Sequence, residues 1–191
     1  RGKLTKPIIK IIEREYEEEG EDQHLGYPEV YDKYIVFNKE RNGKIKEIVK
    51  EILNELPTPR ILILTKSLEH GRGLEKSFRG QQCEFLDGAK SVGERYESIS
   101  RFRNHGEGAI LIGTRILQTG INIEEITHFI NARGMKSEIA TIQALGRALR
   151  VSDNKDEVYV YDFLDKEKYL SKHSRERIAH YKKEGHEVEI I

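Results

Sequence analysis

Two arginines in an amphipathic segment are the side chains of this sequence best suited to phosphate chemistry. The segment is ATIQALGRALR, residues 140–150. Projected as a helix at 100° per residue, it places Gln143, Arg147 and Arg150 within about 60° of one another, opposite its apolar side chains. Gly146 costs a helix about 1 kcal/mol relative to alanine, which suggests a close neighbour there. The face is therefore either a solvated basic surface or a set of planar cations aimed at a phosphoryl group.

Hydroxyl and basic side chains also follow the apolar runs that predict strands. Thr65 follows RILIL, and Thr114 with Arg115 follows AILIG. Ligands of parallel sheets bind beyond the carboxyl ends of the strands, and such side chains can donate to backbone phosphates of nucleic acid. Asp87 follows CEFL in the same way, but a turn residue is the simpler interpretation there.

Other patterns resemble nucleotide sites but lack an essential residue. GAKSVGER and GAILIGTR each space two glycines by four residues without the lysine that a phosphate loop requires. Residues 21–24, EDQH, contain the residue types of an Asp-Glu-x-His box in the wrong order, with no buried strand before them. The single cysteine, Cys83, excludes an internal disulfide, and we expect it to be a small buried side chain. No metal ligands are predicted.

Composition indicates a soluble globular domain. The 191 residues are 37% apolar and 35% charged, and 33 basic residues balance 33 acidic ones. With zero formal charge, binding to nucleic acid must come from local charge placement. No apolar run approaches the ~18 residues of a membrane span, no signal peptide is visible, and we expect a cytoplasmic protein with no membrane contact. Because the chain begins at Arg1, we expect a fragment of a longer polypeptide.

Apolar runs alternate with amphipathic segments, which predicts an α/β domain with a mainly parallel central sheet flanked by helices. The predicted strands are YIVF, RILILT, CEFL, AILIGT, ITHFIN and EVYVYDFL. The predicted helices are 43–56, 71–80, 93–104, 137–150 and 165–184. The acidic stretch EREYEEEGEDQH predicts a solvated loop or a frayed helix end.

Three segments, in order along the chain, resemble motifs of the second RecA-like domain of superfamily 2 helicases. ILILTKS resembles motif IV, TRILQTGIN motif V, and QALGRALR motif VI, whose pattern is Q-x-x-G-R-x-x-R. The resemblance covers residues 41–163 and implies a RecA-like three-layer fold. The TGI of motif V and the G-x-K-S turn at 134–137 are most similar to UvsW-like phage recombination and repair helicases. XPB-like repair helicases and the motor subunits of restriction enzymes are more distant.

The resemblance implies roles for single residues in ATP hydrolysis. Arg147 and Arg150 match the arginine fingers that reach the γ-phosphate of ATP bound on the first domain. Asn122 stands where many relatives carry an aspartate that contacts the ribose. ATP and Mg²⁺ would be held mainly by the first RecA-like domain of the same polypeptide. The implied cofactor-binding positions on this chain are Gln143, Gly120, Asn122 and Gly146.

The resemblance also implies a nucleic-acid face and a division of the chain. Thr65 and Thr114 match hydroxyl residues that hold the nucleic-acid backbone, and Arg115 is a neighbouring candidate. The expected partner is branched or double-stranded DNA, in a bacterial or phage-infected cell. Residues 1–40 would be the interdomain linker and an N-terminal extension, and residues 41–191 the RecA-like domain.

The resulting hypothesis is the second motor domain of an ATP-dependent DNA helicase or translocase, inactive as a fragment. The alternatives are a nucleic-acid binding module that kept the fold and lost hydrolysis, the motor domain of a restriction enzyme subunit, and an unrelated α/β domain with a solvated basic helix. Retention of both Arg147 and Arg150 argues against the first alternative.

Overall fold

Strands and helices alternate along the part of the chain that the structure describes. The structure, a computed structural model, describes residues 7–15, 20–114, 126–136 and 157–191. Among the helices in these ranges, none is long and apolar enough to cross a membrane. The strands are β1 (Pro7–Glu13), β2 (Arg60–Leu64), β3 (Cys83–Leu86), β4 (Ala109–Gly113), β5 (His128–Asn131), β6 (Val158–Leu164) and β7 (Glu187–Ile190). The α-helices are α1 (Tyr27–Tyr31), α2 (Lys39–Glu55), α3 (Leu68–Ser77), α4 (Val92–Asn104) and α5 (Leu170–Lys183).

The strands form a single sheet in the order β3-β4-β2-β5-β6-β1-β7, and all its pairings are parallel. Strands β2 and β4 are buried at all their positions, as uninterrupted apolar runs predict for strands covered on both faces. Because the strands are parallel, their carboxyl ends meet along one side of the sheet. We call that side the carboxyl edge.

Two apolar cores cover the opposite faces of the sheet. Strand β2 contributes Ile61 and Ile63 to one core and Leu62 and Leu64 to the other, since successive side chains of a strand point to opposite faces. Helices α2 and α3 pack on the first core, and α4 and α5 pack on the second. The predicted three-layer α/β fold is therefore confirmed.

Side-chain caps fix where several helices begin. The Asn38 side chain accepts a hydrogen bond from the Arg41 amide at 2.8 Å, so α2 begins earlier than the predicted Gly43. Ser91 and Glu94 form a reciprocal capping box at the start of α4. The other predicted helices are confirmed within a few residues as α3 and α5, while the predicted helix 137–150 lies outside the described residues.

The predicted strand YIVF is wrong. Asp32–Val36 instead forms a π-helical turn that continues α1, and Tyr34, Ile35 and Val36 are all buried. A short apolar run fits a strand and a buried helical segment equally well, so burial on a neighbouring element decides between them. These three side chains pack with Val30 and with Leu170 of α5.

Residues 22–38, which we call the cap, pack on the carboxyl edge of the sheet. Inside the cap, Asp22 accepts hydrogen bonds from the Lys33 ammonium, at 2.8 Å, and from the Tyr34 hydroxyl. The Lys33 bond is the main reason that the pKa of Asp22 lies below its usual value. Asp22 and Arg14 are each only 5% exposed, so the prediction of a solvated acidic loop is wrong for these two residues.

The first forty residues also contribute to the sheet. Strand β1, which was not predicted, lies between β6 and β7 and pairs with β6 from Pro7 to Glu13. The Glu13 amide donates to the Ile191 carbonyl at 2.9 Å, which ties the strand to the end of the described chain. The division at residue 40 stays a prediction, but residues 7–13 are part of the domain's own sheet.

Candidate functional site at the carboxyl edge

The structure brings the two predicted hydroxyl residues together. Leu64 is in register with Gly113 in the β2–β4 pair, so Thr65 and Thr114 are the next residues on neighbouring strands. The Thr65 amide donates to the Gly113 carbonyl at 2.9 Å, which continues the ladder by one bond. Thr114 is half-buried. Both threonines therefore lie at the carboxyl edge, where the sequence placed them.

At the end of β2 the exposed side chain is that of Lys66, not that of Thr65. Thr65 is fully buried, and its hydroxyl lies 3.4 Å from the Ser67 carbonyl. The exposed Lys66 ammonium lies 4.6 Å from the ring centre of Tyr31 and 5.5 Å from that of Tyr27. The predicted role of Thr65 as a phosphate contact stays a prediction, and it requires the 65–67 loop to move. Lys66 is the accessible cation at this position.

Asp87 acts as a turn residue, as the sequence suggested. Its carboxylate accepts from the Ala89 amide at 2.9 Å and from Arg72 at 3.4 Å. The backbone bond from Ala89 is the main cause of the lowered pKa of Asp87. Cys83, expected to be buried, is partly buried against the core, and burial raises the pKa of its thiol to about 12, so that it stays protonated at neutral pH.

The remaining predicted site residues lie outside the described part of the chain. They are Arg115, Gly120, Asn122, Gln143, Gly146, Arg147 and Arg150. Their roles therefore stay predictions. The structure does describe residues 132–136, which follow β5 and end directly before residue 137.

Residues 132–136, which we call the β5 exit segment, are held by donors from three distant helices. Arg41 of α2 donates to the Ala132 carbonyl at 2.9 Å. The Tyr31 hydroxyl of α1 donates to the Arg133 carbonyl at 2.7 Å, and Arg177 of α5 donates to the Met135 carbonyl at 3.2 Å. The Ala132 amide in turn donates to the Leu64 carbonyl at 3.0 Å. The path of the chain out of β5 is thus fixed by tertiary hydrogen bonds.

Arg41 belongs to a buried ionic network. It is fully buried, and its Nε donates to Asp165 Oδ1 at 3.0 Å. Arg14 lies 3.5 Å from the same carboxylate and donates to Glu167 at 2.6 Å. The guanidinium of Arg41 also stacks 4.1 Å from the ring centre of Phe163. Asp165 is therefore shared between Arg14 and Arg41, two arginines from the first part of the chain that lie far from it in the sequence.

Arg177 forms the second half of the network. Its Nε and Nη2 donate to the two carboxylate oxygens of Asp162 at 2.9 and 3.0 Å, a bidentate pair in which both side chains are buried. The Tyr181 hydroxyl donates to Asp162 as well, at 2.6 Å. Burial by itself lowers the pKa of Arg177, but the carboxylates of Asp162 and Asp165 outweigh it and the pKa is raised. The guanidinium therefore stays charged and fixed in place.

Comparison with known proteins assigns a family to this geometry. Residues 43–152 match the family described as the helicase conserved C-terminal domain. The chain belongs to this family. It is a C-terminal RecA-like domain of the superfamily 2 helicases. The match covers both threonines at the carboxyl edge and all the predicted site residues outside the described ranges.

Two curated relatives illustrate the breadth of the family. The chain is 26% identical over 137 residues to the ATP-dependent DNA helicase uvsW of Enterobacteria phage T4, covering 62% of this chain and 27% of that protein. It is 26% identical over 121 residues to the ATP-dependent RNA helicase ROK1 of Meyerozyma guilliermondii, covering 62% of this chain and 22% of that protein. This helicase C-terminal domain thus spans about a quarter or less of the relatives it matches.

Solved structures show the same fold. The crystal structure of T4 UvsW superposes with a TM-score of 0.73 at 21% identity and covers 98% of this chain and 41% of that one. The C-terminal domain of the DEAD-box protein Dbp5 superposes with a TM-score of 0.62 at 18% identity and covers 98% and 88%. The RecA-like architecture expected from the motifs is confirmed.

Replacing Gly134 with alanine is expected to destabilise this helicase domain by about 1–2 kcal/mol, because φ at Gly134 is +63°, in the left-handed region that L side chains avoid. An added Cβ would also lie 2.9 Å from Ile35 Cδ1. Gly73 in α3 is the matched control, since a Cβ there meets no heavy atom within 4 Å and alanine favours a helix. Urea unfolding of the chain measures both variants, and equal stabilities would contradict the prediction.

The buried ionic network was not predicted from the sequence, although the pattern contains a signal for it. Arg41 precedes Ile45 by four residues and so lies on the buried stripe of α2. Arg177 likewise lies on the buried face of α5, together with Leu170, Ser174 and Tyr181. An arginine on the apolar face of a helix indicates a buried carboxylate partner. Which carboxylate that is could not be predicted without the fold.

Proposed function

We propose that the chain is the second motor domain of an ATP-dependent DNA helicase or translocase that acts in recombination or repair. The observation that carries this proposal is the family match over residues 43–152, which includes both motif VI arginines. The sequence likeness to the ATP-dependent DNA helicase uvsW supports DNA as the substrate. Branched or double-stranded DNA is the form that we propose. The compartment that we propose is the cytoplasm of a bacterial or phage-infected cell.

Arg147 and Arg150 would supply positive charge to ATP across an interdomain cleft. Negative charge spreads over the oxygens of the transferring phosphoryl group, and a planar guanidinium can donate two parallel hydrogen bonds to it. Gln143 and Gly146 of the same segment, with Gly120 and Asn122, would complete this side of the cleft. The chain's part in catalysis is therefore electrostatic stabilisation of a transition state.

ATP and Mg²⁺ are assigned to the first RecA-like domain of the same polypeptide. Asp162, Asp165 and Glu167 are buried carboxylates at the carboxyl edge, and an arginine binds each of them. Among the described residues no group of three His, Cys, Asp or Glu side chains could hold a metal ion. Because arginines already pair with these carboxylates, they fit a structural network better than a cation site. We therefore expect this domain to contact the nucleotide through its arginines.

Nucleic acid would bind at the carboxyl edge beside β2 and β4. Thr114 and Arg115 are proposed to hold the backbone, with Thr65 joining them if its loop opens. Lys66 adds an exposed cation at the same place. Since the whole chain has no net charge, these few local contacts would provide the affinity, and binding should weaken as salt rises.

The purified 191-residue chain is expected to hydrolyse no ATP, whereas the product of the complete gene should hydrolyse it and be stimulated by DNA. The reason is that the chain would supply only one wall of the nucleotide site. Phosphate release, measured with and without branched DNA, tests both proteins side by side. Hydrolysis by the 191 residues alone would contradict the assignment to a second domain. Tight, salt-insensitive DNA binding without any ATPase in the complete product would favour a binding module.

A further inference from the structure

Four aromatic side chains, which we call the aromatic cluster, lie between the cap and α5 beside the carboxyl edge. The ring centre of Tyr27 lies 5.8 Å from that of Tyr31 and 6.0 Å from that of Tyr169. It lies 5.7 Å from the ring centre of His173. Tyr31 is buried, Tyr27 and His173 are half-buried, and Tyr169 is 40% exposed. The most exposed ring of the cluster is therefore that of Tyr169.

Positive charge lies against the aromatic cluster. The exposed Lys66 ammonium lies 5.5 Å from the ring centre of Tyr27, and the Lys168 ammonium lies 4.8 Å from that of Tyr169. Burial is the main cause that lowers the pKa of His173, and neighbouring arginine and lysine side chains lower it further. The imidazole is therefore an uncharged ring at neutral pH. Aromatic rings beside exposed cations are the components with which proteins hold single strands of nucleic acid.

The backbone holds Tyr169 in a strained conformation. Its φ is +66° and its ψ is −46°, and among the described residues it is the one non-glycine residue with a positive φ. The Leu170 amide donates to the Lys168 carbonyl at 2.8 Å, which closes a γ-turn of the rare, strained form around Tyr169. The Lys168 ammonium donates to the carbonyls of Gln23 and Leu25, and Leu170 is fully buried. Neighbours on both sides thus impose the turn, as is frequent where a ligand binds.

We propose that the aromatic cluster is a base-stacking site, in which an unpaired base of a nucleic-acid strand packs against Tyr169 while a nearby phosphate contacts Lys66. This inference rests on the proposed binding of nucleic acid at the carboxyl edge. Tyr27 connects the two contacts, since the Lys66 ammonium and the Tyr169 ring centre both lie within 6.0 Å of its ring centre. The base and the phosphate would therefore belong to the same nucleotide or to neighbouring ones. Because bases inside a duplex stack on each other, the site would take a single strand, such as an arm of branched DNA.

A second group of rings, near the amino ends of β5 and β6, provides the control. Tyr159 stacks on His128 with ring centres 5.4 Å apart, and the Lys10 ammonium lies 5.2 Å from the Tyr159 ring centre. Its surroundings are acidic, however. The Tyr159 hydroxyl donates to Glu157 at 2.6 Å, which is the main cause of the raised pKa of Tyr159, and two glutamates of β7 act in the same direction. Carboxylates repel phosphate, so no strand should bind there.

A single introduced tryptophan tests for stacking, because the sequence contains none. In the 191-residue chain with Tyr169→Trp, single-stranded oligothymidylate at low salt is expected to quench the tryptophan fluorescence. Tyr159→Trp should keep its fluorescence under the same conditions. Blunt duplex DNA, and a strand of the same length built from abasic nucleotides, should leave the fluorescence of Tyr169→Trp unchanged, because neither offers an unpaired base.

Removal of the ring provides a second measurement. Glycine adopts a positive φ without strain, so Tyr169→Gly relieves the backbone as it removes the ring, and the melting temperature should stay near that of the wild type. The affinity of this variant for single-stranded oligothymidylate is expected to fall by about five- to a hundredfold, the loss caused by truncation of a stacking side chain. Its affinity for blunt duplex DNA should not change. Fluorescence anisotropy of labelled DNA measures both affinities.

The outcomes separate this inference from the proposed function. Single-strand binding without quenching in Tyr169→Trp would overturn the inference alone. Equal quenching by the abasic strand or by blunt duplex DNA would do the same, as would wild-type affinity of Tyr169→Gly for the single strand. If the 191-residue chain bound no DNA at low salt, the proposed nucleic-acid face would be overturned, and the base-stacking site with it.

Discussion

Replacing Arg147 with alanine in the product of the complete gene is expected to lower kcat for ATP hydrolysis by about 10³- to 10⁵-fold, the range found when arginine fingers are absent. The charge that develops on the phosphoryl group would lose its planar cation. DNA affinity without nucleotide should persist, because the proposed phosphate contacts lie near Thr65 and Thr114. Steady-state phosphate release with saturating DNA measures the effect.

Arg147→Lys is expected to be impaired almost as much as the alanine variant. An ammonium keeps the charge but cannot donate two parallel hydrogen bonds in a fixed plane. In the helical projection Arg147 lies away from the apolar face, so the melting temperatures of both variants should stay near that of the wild type. Full turnover in both variants would support the solvated basic face instead and would exclude the motor mechanism for this chain.

The second large effect concerns stability rather than turnover. Arg177→Met is expected to lower the free energy of unfolding by about 3–5 kcal/mol, because Asp162 would be left as a buried charge without its bidentate partner. Its remaining bonds, from Tyr181 and from the Phe163 amide, do not neutralise it. Equilibrium urea unfolding of the 191-residue chain measures the loss. A change no larger than that of a typical surface substitution would contradict this expectation.

A second bidentate pair, in which the arginine is exposed, serves as the control. Arg101 donates to both carboxylate oxygens of Glu84, at 2.7 and 2.9 Å, but its side chain is 54% exposed. Arg101→Met should therefore cost much less stability than Arg177→Met, since the Glu84 side chain keeps 16% exposure to water and Lys90 lies 3.9 Å from the same carboxylate. The contrast between two bidentate pairs with similar distances would isolate burial as the cause of the loss at Arg177.

A double variant tests whether the unpaired charge of Asp162 causes the loss of stability. Arg177→Met combined with Asp162→Asn removes both charges, so it should recover part of the stability that Arg177→Met loses. The recovery would be incomplete, because the Tyr181 hydroxyl and the Ser174 side chain are arranged around a carboxylate and a guanidinium. No recovery at all would indicate that Arg177 stabilises the fold mainly through its bonds to the Met135 and Phe163 carbonyls.

The sequence by itself determined most of the sheet and the identity of the family. Strands β2 and β4 were predictable because RILIL and AILIG are apolar at nearly every position, as in strands covered on both faces, and because each run lies between segments with helical periodicity. The motif VI arginines and Thr65 were predictable as candidates because their spacing follows a pattern that is local in the chain. Such features depend on neighbours within a few residues, so a single sequence displays them.

Only the tertiary structure decided the features that join distant parts of the chain. PIIKIIE became the inner strand β1 because β6 and β7 pair with both of its sides. Residues 34–36 became helical because the cap buries them on α5. Arg41 and Asp165 are 124 residues apart, yet they form one buried ion pair beside Gly134. A charge can be buried only where a partner of opposite sign is brought to it, and the partner is chosen by the packing of the whole domain rather than by any local pattern.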